Sequence, residues 1–191
     1  MTRISIIGTG NMGHALVDLA GKGGNAVELI GSSDVDKAVT SDIVMLAVPY
    51  PAVEQVIAQR GAQLAGKVVV DITNPLNFET FDSLTVPSDS SAAAEIAAAL
   101  PDSRVVKAFN TNFAGTLATG AVGGQTTTVL LAGDDADSKA VLASVISAAG
   151  LCAVDAGGLK RARELEALGF LQLTLAAGEK TSWTGGFTLA Q

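Results

Sequence analysis

The residues richest in chemical meaning stand near the start of the chain, in Gly8-Thr9-Gly10-Asn11-Met12-Gly13. Glycines at this spacing suit a dinucleotide pyrophosphate. The first permits a tight turn, the second lets backbone approach the phosphates where a Cβ would intrude, and the third lets a helix pack closely on a strand. The helix that follows offers unpaired N–H groups and a partial positive charge to the anion. The motif has the context it needs: an apolar run starting almost at residue 1 precedes it, and a helical stretch follows. Gly13 is followed by His14 and Ala15 rather than Lys and Ser or Thr, so no Walker A loop is present and ATP hydrolysis is disfavoured.

The end of the second apolar run selects the nucleotide. NAD enzymes place Asp or Glu there, to accept hydrogen bonds from the ribose 2′-hydroxyl. This chain reads Leu29-Ile30-Gly31-Ser32-Ser33. Ser32 and Ser33 can donate to phosphate oxygens, and Lys37 can add positive charge, although Asp34 and Asp36 bring negative charge close by. The pattern predicts NADP(H).

Other reactive groups are sparse. His14 is the sole histidine; it sits beside the phosphates, away from the expected nicotinamide, and reads as a surface helix residue. A Ser-His-Asp hydrolase would have to use it, which makes that class a poor fit. One histidine and one cysteine, Cys152, are too few for a zinc or iron–sulfur site and exclude an internal disulfide. Asp134 and Asp135 read as a turn and a helix N-cap rather than a cation site. Lys107 and Asn110 flank a predicted strand end, where open α/β sheets bind ligands. Lys107 either pairs with an acidic substrate or reaches solvent. Phe78, Phe81, Phe109, Phe113 and Trp183 either floor a planar acceptor site or fill ordinary core. No metal ligand and no catalytic residue is assigned.

These residues need a scaffold, and the apolar pattern supplies one. Short continuous apolar runs suit strands covered on both faces; they fall at residues 3–7, 27–30, 43–48, 67–72, 105–109, 127–132 and 152–155. Helical patterns lie at 11–22, 51–64, 91–100 and 135–149, with a last one from Leu159. The alternation predicts an α/β fold: a doubly wound, Rossmann-type, mostly parallel sheet with a C-terminal helix and short tail. The stretch 31–42 leaves room for hardly one helical turn, so that crossover is truncated. Residues 74–89 read as a long loop, and 110–124 as a Gly- and Thr-rich loop with a helical piece. The division expected is 1–158 for dinucleotide binding and 159–191 for a helix and tail.

Composition narrows the class. The 191 residues carry 12 Lys and Arg against 19 Asp and Glu, a net charge of −7. An acidic surface argues against binding a nucleic-acid backbone. A hydrophobic share of 48% excludes disorder, and no apolar run approaches the roughly 18 residues of a membrane-spanning helix. The expectation is a cytoplasmic protein with no nucleic-acid or membrane partner. Leu168, Phe170, Leu171, Leu173 and Leu175 leave the last helix little polar face. Such a helix must be covered, so a homodimer is expected.

The whole chain resembles the family of NADP oxidoreductases that depend on coenzyme F420, a deazaflavin. The resemblance rests on Ile7 to Gly13, Gly31-Ser32 with Lys37, Leu46-Ala47-Val48-Pro49-Tyr50, and Asp71-Ile72-Thr73-Asn74-Pro75. It continues through Ser91-Ala92-Ala93-Ala94-Glu95, Val106-Lys107-Ala108-Phe109-Asn110-Thr111 and Asp155-Ala156-Gly157-Gly158-Leu159. It implies that Thr9, Asn11 and Met12 border the pyrophosphate. It implies that Ala47, Val48, Pro49 and Tyr50 lie along ribose and pyrophosphate. It puts Asn74, Pro75, Ala108 and Phe109 where the nicotinamide lies. The family commonly reads the 2′-phosphate with Ser-Arg and a later Lys; Ser32 and Lys37 match, and Ser33 replaces the Arg.

The function expected is hydride transfer between NADP(H) and a flavin, a deazaflavin or another small electron acceptor or donor. Such transfer needs positioning more than acid–base groups. A non-catalytic NADP(H) sensor is the alternative, since no acid–base residue stands out. Gly10-Asn11-Met12-Gly13 also resembles the start of pyrroline-5-carboxylate reductases and hydroxyacid dehydrogenases, which carry a large helical second domain not found here.

Overall fold

The computed structural model describes residues 1–189. Its centre is a seven-stranded sheet. The strands β1 (Arg3–Ile7), β2 (Ala26–Ile30), β3 (Ile43–Leu46), β4 (Val68–Asp71) and β5 (Arg104–Lys107) are mutually parallel. A small hairpin of β6 (Ala121–Val122) and β7 (Gln125–Thr126) stands apart. Then β8 (Thr128–Gly133) joins β5 antiparallel, and β9 (Cys152–Gly157) pairs parallel to β8. The spatial order is β2-β1-β3-β4-β5-β8-β9. The order reverses between β1 and β3, which opens a crevice at the carboxyl ends of those strands, where doubly wound sheets bind ligands.

The helices are α1 (Asn11–Lys22), α2 (Val53–Leu64), α3 (Ala92–Ala99), α4 (Ala114–Thr119), α5 (Ala136–Ala148) and α6 (Ala162–Ala177). Alternation along the strands feeds two cores. Ile4, Ile6, Met45 and Val70 face α1, α4 and α5, together with Leu16, Leu117 and Ile146. Ile7, Val44, Leu46 and Val69 face α2, α3 and the start of α6, together with Val53, Leu64 and Ile96. Period-two alternation with both faces apolar is what a sheet covered on two sides requires.

The expected elements are present, with boundaries moved by local chemistry. The strand expected over 105–109 stops at Lys107, and Phe109 adopts φ +61, a conformation that ends a strand. The stretch 31–42 holds turns and no helix, so β2 is an edge. Ser91 caps α3 by accepting the Ala94 N–H at 3.1 Å, and Asp135 caps α5 by accepting the Ser138 N–H at 2.7 Å. Among the described residues, no helix is long and apolar enough to cross a membrane.

The last helix carries its polarity inside out. Glu166 and Gln172 are buried along with Ala162, Leu165, Gly169 and Ala176, while Leu171 is 50% exposed and Leu168, Phe170 and Leu175 are half-buried.

Candidate functional site

The glycine loop is fixed by its neighbours. Gly8 donates to the Ile30 carbonyl at 2.9 Å, and Ala47 donates to the Ile7 carbonyl at 2.8 Å. Gly8 has φ +122, and a Cβ there would collide with the Ala47 carbonyl. A Cβ at Gly13 would collide with the Gly8 carbonyl, so that glycine lets α1 close on β1. Gly10 is different. It is the N-cap of α1 and has no side-chain cap, and a Cβ there would meet nothing within 4 Å. The fold does not need a glycine at that position. A ligand does, if its pyrophosphate rests against the bare helix N-terminus.

Two hollows open on either side of this loop. The first, of about 340 Å³, is lined by Gly8, Thr9, Gly10, Ala47, Val48 and Pro49, by Gly31 and Ser32, and by Gln55, Gln59 and Arg60 from α2. Ser33 is exposed and outside this lining. Lys37 is outside it too: its ammonium binds the Glu28 carboxylate at 3.1 Å and the Leu29 carbonyl at 3.2 Å. Tyr50 turns to a neighbouring hollow, where its hydroxyl donates to Glu95. Burial, then that bond, push the Tyr50 phenol well above its ordinary range.

The second hollow, of about 430 Å³, lies at the carboxyl ends of β4 and β5. Asn11, Met12, Asn74 and Phe109 line it, as do Asn110, Asn112, Phe113 and Trp183. Phe113 and Trp183 pack with ring centroids 4.9 Å apart and ring planes tilted by 57°. Phe109 forms a fully buried part of the wall at positive φ, a strain of order 1–3 kcal/mol that clusters at functional sites. Ala108 and Pro75 lie behind the wall: Ala108 donates to the Asp71 carbonyl at 3.1 Å, and the Pro75 carbonyl accepts from Thr85 at 2.6 Å. Of the five aromatic candidates, Phe78 and Phe81 do not join. They pack edge-to-face on each other in the 74–89 loop, with Phe78 52% exposed.

Polar groups in this wall are held in one arrangement. The Asn110 amide N–H groups donate to Asn74 Oδ1 at 3.0 Å and to the Leu165 carbonyl at 2.8 Å; Asn74 returns a bond to the Asn110 carbonyl at 2.8 Å. Helix α6 crosses this pair at Gly169, where a Cβ would collide with Asn74 Oδ1. Two buried oxygens, Asn110 Oδ1 and Asn112 Oδ1, accept no hydrogen bond from the described residues. A buried acceptor left so costs of order 1–3 kcal/mol, which a ligand N–H would relieve.

The reading of Lys107 as a substrate partner or solvent-exposed group is corrected by the structure. Its ammonium is fully buried, 2.7 Å from Asp71 Oδ2, 2.8 Å from Glu166 Oε1 and 2.7 Å from the Thr73 carbonyl. Glu166 also accepts the Ala92 N–H at 2.9 Å, so a side chain of α6 caps α3. Burial raises the Glu166 carboxyl above the ordinary carboxylate range, against the pull of Lys107. Farther along α6, Gln172 donates to the Thr111 carbonyl at 3.1 Å and accepts the Phe187 N–H at 2.9 Å. That fixes the tail that brings Trp183 over the cavity.

Comparisons with known proteins give the chain its family. The sequence profile described as NADP oxidoreductase coenzyme F420-dependent matches residues 25–75. The F420-dependent NADP reductase of Methanocaldococcus jannaschii is 31% identical over 166 residues, covering 85% of this chain and 74% of that protein. The chain belongs to the coenzyme F420-dependent NADP oxidoreductase family. Membership makes it an oxidoreductase that uses NADP(H). The metalloreductase STEAP3 of Rattus norvegicus is 29% identical over 183 residues; the match takes in 87% of this chain but 36% of that protein. A crystal structure of an Arthrobacter sp. FB24 protein, provisionally assigned as an F420-dependent NADP-reductase, covers 100% of both chains with a TM-score of 0.87. At 24% identity that likeness establishes the fold.

The sequence by itself does not mark Arg60, Asp71, Asn112, Glu166 or Gln172 as site residues. Arg60 and Glu166 sit in ordinary charged helical patterns. The one available signal was the placement of Asp71 and Lys107 at the ends of strands read as buried.

Proposed function

We propose that the chain passes a hydride between NADP(H) and a flat flavin- or deazaflavin-like ring held in the cavity of Phe109, Phe113 and Trp183. One observation carries this reading. Among the described residues, none lining that cavity has a titratable side chain. Reduction of an imine or a carbonyl needs a proton placed at the reacting atom, and this wall offers none. A flavin-like ring needs alignment instead.

The nucleotide, when bound, supplies the hydride-carrying carbon. The chain's residues do the rest. The N–H groups opening α1 hold the pyrophosphate beside Gly10, with Thr9, Asn11 and Met12 at its border. Ala47, Val48 and Pro49 support the ribose. Asn74 and Phe109 shape the nicotinamide end. Asn110 Oδ1 and Asn112 Oδ1 accept ring or carboxamide N–H groups, and the Phe113–Trp183 pair covers one face and excludes water. Ser32 with the Gly31 turn stands at the ribose 2′ position, and Ser33 at its rim. Lys37, Tyr50, Gly13, Pro75 and Ala108 act from behind, holding the loops that make these contacts.

Two copies pair across the outer face of α6 in this proposal. Leu168, Phe170, Leu171 and Leu175 are a large apolar group for a helix whose buried side is already filled by Glu166 and Gln172. Residues 159–191 then serve as the dimerisation element. Sedimentation should give a dimer that Leu171→Lys dissociates. A chain with a single cysteine suits a reducing compartment, and on this reading the protein works in the cytoplasm.

The function is tested with deuterated NADPH and a panel of flavin, deazaflavin, quinone, imine and carbonyl acceptors. Deuterium should appear in the reduced deazaflavin or be lost to a flavin. Turnover confined to imines or carbonyls, or no turnover with any acceptor, overturns the proposal.

A further inference from the structure

We infer that Arg60 of α2, rather than Lys37, is the cation that reads the 2′-phosphate of NADP(H) in this chain. The inference rests on the NADP(H) reading above and assigns its charge partner. In the β2–β3 connection, Gly31 donates to Asp34 Oδ2 at 2.8 Å, and Lys37 donates its N–H to the Asp34 carbonyl at 3.1 Å. Helix α2 lies beside this turn. The Arg60 guanidinium donates from Nη1 to the Lys37 carbonyl at 2.6 Å and from Nη2 to the Asp34 carbonyl. Both partners are neutral carbonyls.

Arg60 is 5% exposed, and among the described residues it forms no ion pair with a carboxylate. A buried charge without a counter-charge is costly. The other deeply buried cation, Lys107, has two carboxylates. Arg60 instead lines the hollow that also contains Gly31 and Ser32, the place where a ribose 2′-substituent falls in this fold. A guanidinium carries five N–H donors. Two are spent on the loop carbonyls, which leaves three on a planar fork suited to phosphate. Lys37 meanwhile has its charge met by Glu28 and lies outside the hollow. The carboxylate of Asp34, in the same turn, accepts the Gly31 N–H. The selective charge thus comes from the helix after β3, not from the loop after β2 where the family's Arg is replaced by Ser33.

Titration calorimetry of NADPH and NADH against wild type, Arg60→Gln and Lys37→Gln decides this. Arg60→Gln should weaken NADPH at least tenfold, leave NADH within about twofold and abolish the preference. Lys37→Gln should keep the preference. Arg60→Lys, which retains charge but not the fork, should lose part of it, and serves if Arg60→Gln does not fold. Equal losses for both nucleotides in the Arg60 variants would mean a loop clamp or an adenine contact and overturn the assignment. Wild type without NADPH preference overturns the NADP(H) reading and the assignment together. Preference present in wild type and intact in both Arg60 variants overturns the assignment alone.

Discussion

The two halves of the cleft are built by different means. The phosphate half is backbone: Gly8, Gly10 and Gly13, the Ala47–Pro49 turn and the start of α1, most of it contiguous in sequence. The acceptor half is side chain. Asn11, Asn74, Asn110, Phe113 and Trp183 converge there from four segments, and the Asp71–Lys107–Glu166 cluster pins the elements that carry them. A backbone cradle can be written in six consecutive residues. A side-chain wall must be assembled by long-range contacts, and its stability and its chemistry are coupled.

The largest effect expected from that coupling is at Lys107. Lys107→Met leaves Asp71 and Glu166 facing each other, both buried, without their cation. Breaking a buried ion cluster by removing one member typically costs about 3–5 kcal/mol. Urea denaturation should show that loss. A cost below about 1 kcal/mol would mean water reaches the cluster, and the contrast between the halves would weaken.

Next come the glycines of the backbone half, where fold and function separate. Gly10→Val places a side chain in open space, so the melting temperature should hold. Nucleotide affinity should fall by a hundredfold or more, about 2.7 kcal/mol. Gly8→Ala should do the reverse first, lowering the melting temperature through its positive φ and the clash with Ala47. Should Gly10→Val bind NADPH normally, the pyrophosphate lies elsewhere.

Gly169→Ala probes the acceptor half in a similar way. The new methyl would push α6 from the Asn74–Asn110 pair. An overpacked contact of this kind costs roughly 1–3 kcal/mol. Turnover should drop by more than tenfold while the Kd for NADPH stays within a few-fold. Parallel losses in both would show that the halves are one rigid site.

The same contrast explains how much could be read from the chain. The doubly wound fold and the strand–glycine loop–helix unit are legible, because each is a local pattern with one physical meaning; Ser32 also reads as a simple chain turn, and the Ala47–Pro49 segment is marked only by the family resemblance. The burial of Lys107 is not legible, because its partners lie 36 and 59 positions away, at Asp71 and Glu166, and no local pattern reports them. Arg60 went unseen for the same reason: on a helical wheel it is one more polar residue, and only the docking of α2 against the 31–42 turn buries it. Phe78 and Phe81 were plausible members of the aromatic wall by composition, yet the 74–89 loop folds them onto each other.

Two helix caps bring the comparison to its smallest scale, and their pH dependence has opposite sign. Asp135 caps α5 locally, and hydrogen bonds from Ser138 hold its carboxyl below the ordinary aspartate value of about 3.9. Its contribution is therefore present at neutral pH and is lost as pH falls through that lowered value. Glu166 caps α3 from 74 positions away, and burial raises its carboxyl. Its proton-linked contribution is present below the ordinary glutamate value of about 4.3 and is lost as pH rises through the raised one. Melting curves of wild type, Asp135→Asn and Glu166→Gln from acid to neutral pH read both slopes. The wild-type advantage over Asp135→Asn should grow with rising pH, and its advantage over Glu166→Gln should shrink. If both advantages move the same way, Lys107 and the α3 N-terminus outweigh burial at Glu166, and the remote cap behaves like the local one.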